Sequence, residues 1–426
     1  MRKTCKTNWK FKSFIASSII GGLVAASYAQ AAGTVEVMHG WTSSSEAYAI
    51  QSLRDALAKQ GIGWKDSAIA GDGGANAQQA LQARLAAGSA PIAAATFPEL
   101  MRSYQQQNTL ESLDAYAKAG NLDARIPKEL QPYIKVNGSY YSIPITMHRE
   151  NMLWINKKVL AKYGDKAPTT WPEFLALAEK MKKDGIIPLA LGGEDWQEAE
   201  IFSSIMIGLG GPAFYKSAIV KHDLKSIQSD TMKKTFETFR KVLSYADKNR
   251  AGRDWNVATQ MVINGKAGMQ IQGDWAKGEF LKQNKVPGTD FVCVSAPGNN
   301  ANFVFVSDVF VMFKQKNADA AANQKAFSNL LMDKSAQELF NLRKGSISPF
   351  MDVPADKFDA CGKQAIVDRA ASIKSGGFLP SFLENIALPR NLRGAYVDTI
   401  TSFANNPSMS ADDAVKKLAA AVKSAS

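Results

Sequence analysis

Three tryptophans, Trp41, Trp196 and Trp275, each follow a short β-type run and a glycine-containing turn, in His39-Gly40-Trp41, Gly192-Gly193-Glu194-Asp195-Trp196 and Gly273-Asp274-Trp275. In an α/β sheet that position lies at the carboxyl ends of the strands, where ligands bind. An indole offers a flat apolar face that stacks on the C–H face of a sugar-like ring, while Asp, Glu, Asn and Lys fork onto its hydroxyls. For any one of the three, packing against its own loop is an equally good account. Bond-making signatures fail on spacing. Gly71-Asp72-Gly73-Gly74-Ala75-Asn76 opens like a dinucleotide loop but has Asn76 where the third glycine belongs, and Asn264-Gly265-Lys266-Ala267 lacks both the upstream glycine and the hydroxyl residue of a phosphate loop. Only His39, His148 and His222 are present, none paired at i, i+4, so a histidine zinc site is not expected. There is no GxSxG elbow. Paired carboxylates for glycoside cleavage are a three-dimensional property and stay open. No cofactor and no metal are implied.

The first residues do not belong to the fold. Arg2, Lys3, Lys6, Lys10 and Lys12 precede an apolar stretch from Phe14 to Tyr28, and Ala29-Gln30-Ala31 is a small-x-small cleavage site. The stretch is broken by Ser17, Ser18, Gly21 and Gly22, which favours cleavage over anchoring. Residues 1–31 are therefore read as a signal peptide, and the mature chain as periplasmic or exterior. Removing the leader takes the formal charge from +12 to +7. The remaining lysines fall in dispersed pairs such as Lys182-Lys183 and Lys233-Lys234, which mark solvated helix faces and not a nucleic-acid footprint. Cys293 and Cys361 are left in an oxidising compartment, as a disulfide or as two buried thiols. About 395 residues suffice for two domains with good cores.

Strands alternate with helices along this length, which predicts parallel sheets covered on both faces. Thr34–Met38 reads as a strand, and Ser43-x-x-Glu46 as a capping box for a helix ending at Gly61. A second strand is expected over Ser67–Ala70, a helix over Ala77–Ala87 and a buried strand over Pro91–Thr96. Tyr140–Thr146 reads as a strand that must lie at an edge or break at Pro144, and Leu153–Leu160 continues in a helix-compatible pattern. Thr170-Trp171-Pro172-Glu173 is a second capping box. Asn302–Phe313 is a long β-type run interrupted by Asp308.

Ala258–Trp275, ATQMVINGKAGMQIQGDW, resembles the signature of the extracellular sugar-binding proteins of ABC importers, solute-binding protein family 1. TWPEF at Thr170–Phe174, VSDVFVMF at Val306–Phe313, FNLRKGSISP at Phe340–Pro349 and the opening HGWTSSSE follow the order of its glucose-binding branch. The resemblance implies an α/β, two-lobed periplasmic-binding-protein fold with discontinuous lobes joined by a hinge. Lobe 1 would be residues 32–144 and 303–344, and lobe 2 residues 145–302 and 345–426. It implies that Trp275 stacks on the sugar, that Trp41 supplies a second aromatic wall, and that Glu46, Asp308 and Lys344 hold hydroxyls. Glu46 is also the fourth residue of its capping box, which competes with that role. Trp196 and His148 fall at the cleft edge, with hinge bracing the favoured reading for His148 and Arg149. Members commonly carry a second tryptophan at Gly40, a lysine in the loop holding Thr96-Phe97, and a histidine where Glu384 stands, so Thr96 and Glu384 are candidates for an altered hydroxyl pattern. The implied partners are a small sugar and the importer's membrane permease, with the chain acting as a monomer. A polyol or other non-sugar solute, or a secreted carboxylate-dependent glycosidase, are the rival readings.

Overall fold

The computed structural model describes residues 33–384 and 386–426. The predicted signal peptide lies outside them. β1 (Thr34–His39) runs into Gly40, and Ser43 caps the helix Ser44–Ala58. Ser43 Oγ accepts from Glu46 N at 3.3 Å while Glu46 Oε2 accepts from Ser43 N at 3.1 Å, the reciprocal box expected from the spacing. β2 (Gly63–Ala68) begins earlier than the apolar run suggested. It pairs with β1 along its whole length on a half-exposed sheet edge, where Trp64, Lys65 and Asp66 are tolerated without an apolar signature. The helix Ala75–Ala86 and the wholly buried β3 (Ala93–Thr96) follow.

The run Tyr140–Thr146 is not one strand. Tyr140 belongs to a hairpin of β4 (Lys135–Val136) and β5 (Ser139–Tyr140), and Pro144 ends the separate β6 (Ser142–Pro144). β6 is the edge of its sheet, where a residue without an N–H costs no ladder bond. β7 (His148–Arg149) and β8 (Met152–Asn156) come next, so the helix-compatible reading of Leu153–Leu160 holds only for Lys157–Ala161. β8 is buried and pairs on both flanks, with β10 (Ala267–Ile271) and β11 (Phe291–Ser295), while β9 (Ile187–Leu189) lies beyond β10. An apolar run buried on both faces has no period, which is why the sequence could not separate strand from helix there. Asn156 ends the strand by capping the helix, its Oδ1 accepting from Val159 N at 3.0 Å.

β12 (Phe303–Val306), β13 (Val309–Met312) and β14 (Phe378–Pro380) complete three sheets of order β2-β1-β3-β13-β6, β11-β8-β10-β9 and β14-β12-β7. The sheets are mixed rather than parallel: β13 runs antiparallel to β3 and β6, and β8 antiparallel to β10 and β11. β12 and β13 are neighbours in sequence yet lie in different sheets, and the change is made across Ser307-Asp308. Ile145 N donates to Asp308 O at 2.9 Å, and Met147 exchanges backbone bonds with Ile347, so segments near residues 146, 308 and 347 run side by side. One apolar core gathers Phe202, Phe236, Phe239 and Phe403, and another Val35, Leu53, Phe310 and Phe327. Among the described residues no helix is long and apolar enough to cross a membrane.

Cys293 on β11 is bonded to Cys361 on the helix Ala360–Ser375, with Cα atoms 6.1 Å apart and a sequence separation of 68. Closing a loop of that length removes chain entropy worth about 4 kcal/mol from the unfolded state. Reduction, or Cys361→Ala, is expected to lower the free energy of unfolding by about that amount in urea titrations. Equal midpoints with and without reductant would mean that the bridge contributes nothing.

Candidate functional site

Each of the three tryptophans found by spacing is aimed by its own turn. Trp275 folds back over Gly273, where a Cβ would come within 2.3 Å of the indole Cη2, so only glycine allows this turn. The turn is pinned from behind: Glu200 Oε1 accepts from Gly273 N at 2.7 Å and Asp274 Oδ2 accepts from Arg149 N at 3.0 Å. Trp196 lies 6.2 Å from Trp275, ring to ring, and its Nε1 donates to Glu194 Oε2 at 2.9 Å. Trp41 is propped edge-on to Phe310 at 5.8 Å and tilted against Phe340 at 5.6 Å. The three indoles line one cleft with an empty volume, mouth included, of about 1060 Å³.

The polar candidates line the same cleft and divide by how their atoms are used. Glu46 is spent on structure: Oε2 accepts from Thr42 N and Ser43 N, and Oε1 accepts from Lys344 Nζ at 3.0 Å. Lys344 is buried and sits 5.6 Å over the Trp41 ring. Burial works against its charge, but Glu46, Asp308 and Asp274 outweigh that cost and hold the ammonium above its ordinary pKa. Asp308, at the change of sheet, is likewise buried. Burial raises its carboxyl, yet His148, Lys344 and the Thr146 hydroxyl, 2.9 Å from Oδ2, bring it below the usual value. His148 stands between two carboxylates, with Nδ1 bonded to Asp274 Oδ1 and Nε2 3.3 Å from Asp308 Oδ2, the latter an ionic contact without hydrogen-bond alignment. Burial opposes protonation and the two aspartates more than restore it, which favours the imidazolium. Its ring also meets Trp275 edge-on at 5.3 Å. Arg149 does not reach the cleft: it is buried and donates to Asp368 at 2.5 Å, Ser295 at 2.8 Å and the Asn302 carbonyl at 2.7 Å.

Thr96 ends β3 and donates to Gln78 Oε1 at 2.9 Å, an oxygen that Tyr104 also reaches at 3.0 Å. Glu384 closes the wall beside the loop that precedes the helix Arg390–Asn405. Enclosure by protein pushes its carboxyl up to about 8, with Arg393 opposing and Asp308 and Glu150 reinforcing. Although Glu384 is half-open to the cleft itself, protein surrounds it on every other side.

The sequence reading missed Trp255 with its neighbours Asp254 and Asn256, which line the mouth, as well as Gln78 and the loop Gly71–Gly74. Trp255 starts the helix Trp255–Ile263 without a preceding strand, so the strand-and-turn rule passed over it. By its sequence the glycine loop resembles only an incomplete nucleotide loop. Its role is steric: Gly40 approaches Gly74 so closely that a Cβ would lie 2.6 Å from Gly74 Cα. At this turn backbone packs directly on backbone. Among the described residues no group of three or more His, Cys, Asp or Glu could hold a metal ion.

Glu384, pushed to about 8, and Glu150, pushed to about 7 by complete burial, keep protons in the folded chain that the unfolded chain releases near 4.5. Between about pH 5 and 8 these two carboxyls bind more protons in the native state, and their contribution to stability falls as pH rises. Urea midpoints of the ligand-free protein should decline from pH 5.5 to 8, and Glu384→Gln should flatten that decline. A slope unchanged by the substitution would show that Glu384 is ionised throughout.

The model of the family described as bacterial extracellular solute-binding protein matches residues 41–338. A probable sugar-binding periplasmic protein of Brucella suis biovar 1 is 42% identical over 410 residues, covering 96% of this chain and 97% of its own. An uncharacterised ABC transporter extracellular-binding protein of Pyrococcus horikoshii is 30% identical over 405 residues, covering 92% and 90%. The solved structure of a chitin oligosaccharide binding protein superposes with a TM-score of 0.77 at 20% identity, over 92% of this chain and 98% of that one, which speaks for the fold alone. The matched length and the relatives aligned over nearly their whole length agree: the chain belongs to the bacterial extracellular solute-binding protein family.

Proposed function

We propose that this chain is the periplasmic sugar-binding subunit of an ABC importer, capturing a mono- or small oligosaccharide in the cleft between two lobes and handing it to the membrane permease. The observation that carries the reading is the arrangement of indoles around one polar cleft, with Trp41 from the β1 turn and Trp275 and Trp196 from the turns after β10 and β9. A sugar ring has two apolar C–H faces and a rim of hydroxyls, so it calls for aromatic surfaces with donors and acceptors around its edge. Asp308, Lys344, Thr96 and Glu384 supply that edge, and Glu46 acts by holding Lys344 in place.

The lobes are residues 32–144 with 303–344 and residues 145–302 with 345–426. Sugar binds first to one lobe, and closure brings up the other lobe's indole. Only a ligand that contacts both lobes has the differential affinity that shifts the open and closed populations. The closed form is the one the permease reads, the chain works as a monomer, and it transforms nothing.

Trp275→Ala tests the assignment. It should reduce sugar affinity at least a hundredfold and abolish the thermal shift that a ligand at about 100 times its dissociation constant gives, worth about 2.7 kcal/mol. The ligand-free protein should lose stability too, because Trp275 is only 8% exposed. The decisive readout is therefore the shift on adding sugar, measured over a panel of monosaccharides, disaccharides, polyols and amino acids. A Trp275→Ala protein that keeps wild-type affinity would remove the stacking role, and a response to polyols or amino acids alone would remove the sugar.

A further inference from the structure

Beside the tryptophan-lined cleft lies a second chamber with an empty volume, mouth included, of about 700 Å³. The two share Gly73, Gln78, Phe97, Trp196 and Glu384 on their walls, so they are compartments of one space. Gly73 and Trp196 form the neck: a Cβ on Gly73 would sit 3.4 Å from the indole Nε1. The first chamber has indoles on several sides; the second has one, with the glutamines Gln79 and Gln82 and two arginines, Arg390 and Arg393. The chemistry therefore changes along the cleft, from stacking to charge.

Both arginines stand in the first turn of the helix Arg390–Asn405. Among the described residues neither forms an ion pair. Arg390 has no hydrogen-bond partner there, and Arg393 uses only its Nε, on the Leu383 carbonyl. Among the described residues three carboxylates stand beside them. Glu384 is the group that enclosure keeps protonated up to about 8. Glu99 is raised by burial and shared between Arg102 and Arg390. Among the described residues Asp195 is the other carboxylate lining the chamber. Two guanidinium groups, Arg390 with all five donors of its planar fork and Arg393 with its two terminal nitrogens, thus line a cavity that opens into the ligand cleft.

We propose that the second chamber is a subsite for an acidic second unit, and that the ligand is a two-unit glycoside whose outer ring carries a carboxylate held by Arg390 and Arg393. This rests on the sugar-binding reading of the first cleft. The first ring occupies the tryptophan-lined chamber, the glycosidic bond passes the neck at Gly73 and Trp196, and the carboxylate meets the arginine forks, a bidentate geometry that a neutral hydroxymethyl group cannot reproduce.

Calorimetric titration of the mature protein with matched disaccharides tests this, using hexosyl-hexose and hexuronosyl-hexose pairs in several linkages, with hexoses and a hexose phosphate alongside. In at least one linkage the uronate should bind roughly tenfold or more tightly than its neutral partner. Arg390→Gln should erase that margin while leaving hexose affinity within about twofold, and Arg390→Lys should keep part of it. Arg390 is the first choice because Arg393 also holds the Leu383 backbone. Uronates no tighter than neutral partners in every linkage, or an Arg390→Gln protein that retains the margin, would overturn the proposal. A hexose phosphate outcompeting every uronate would overturn it in favour of a phosphate. Hexose binding without any uronate preference sinks only this inference, whereas a protein that binds no sugar at all sinks the sugar reading with it.

Discussion

A buried carboxylate at the point where the chain changes sheet holds the site together. Asp308 follows Ser307 between β12 and β13, and it accepts from the Thr146 hydroxyl while facing His148 and Lys344. Taking a carboxylate out of water is affordable only when charge and hydrogen bonds replace the solvent, and removing one partner from such a group costs about 3–5 kcal/mol. Here the partners come from distant parts of the chain. Thr146 and His148 follow the edge strand β6, and Lys344 ends the helix Lys334–Lys344. Through Asp274, His148 extends the same network to the turn that aims Trp275. The arrangement of indoles is therefore only as well defined as this chain of paired charges.

That dependence commits several lining side chains to partners within the protein. Glu46 lines the cleft, yet its oxygens serve the helix Ser44–Ala58 and Lys344. His148 also lines it, but both ring nitrogens face aspartates. Of Asp308, Thr96 and Glu384, Glu384 is the most exposed, whereas Thr96 donates to Gln78 and Asp308 Oδ2 is held by Thr146. Gly40 shows the same economy in backbone form: the room left by a missing side chain is taken by Gly74.

Much of this was legible before any coordinates. The two capping boxes form as the Ser43/Glu46 and Thr170/Glu173 spacings require, because a cap is satisfied within one helical turn and needs no distant partner. Pro144 marked an edge strand for a similarly local reason, the absence of an N–H. The Asp308 interruption of Asn302–Phe313 was visible too, though not that it separates two sheets. Errors fell where burial erases periodicity, as in β8, or where an edge strand tolerates polar residues, as in β2.

The sequence by itself determined the residue types at the turns and, through local spacing, that Trp41, Trp196 and Trp275 would stand at element ends. It could not decide which of Glu46, His148 and Asp308 is free to meet a ligand, because that depends on partners up to 298 residues away. Nor could it show Trp255, the Gly73–Trp196 neck or the paired arginines beyond it. Those features arise from segments brought together by three sheets and a buried charge network, and contacts between distant segments leave no period in a single chain.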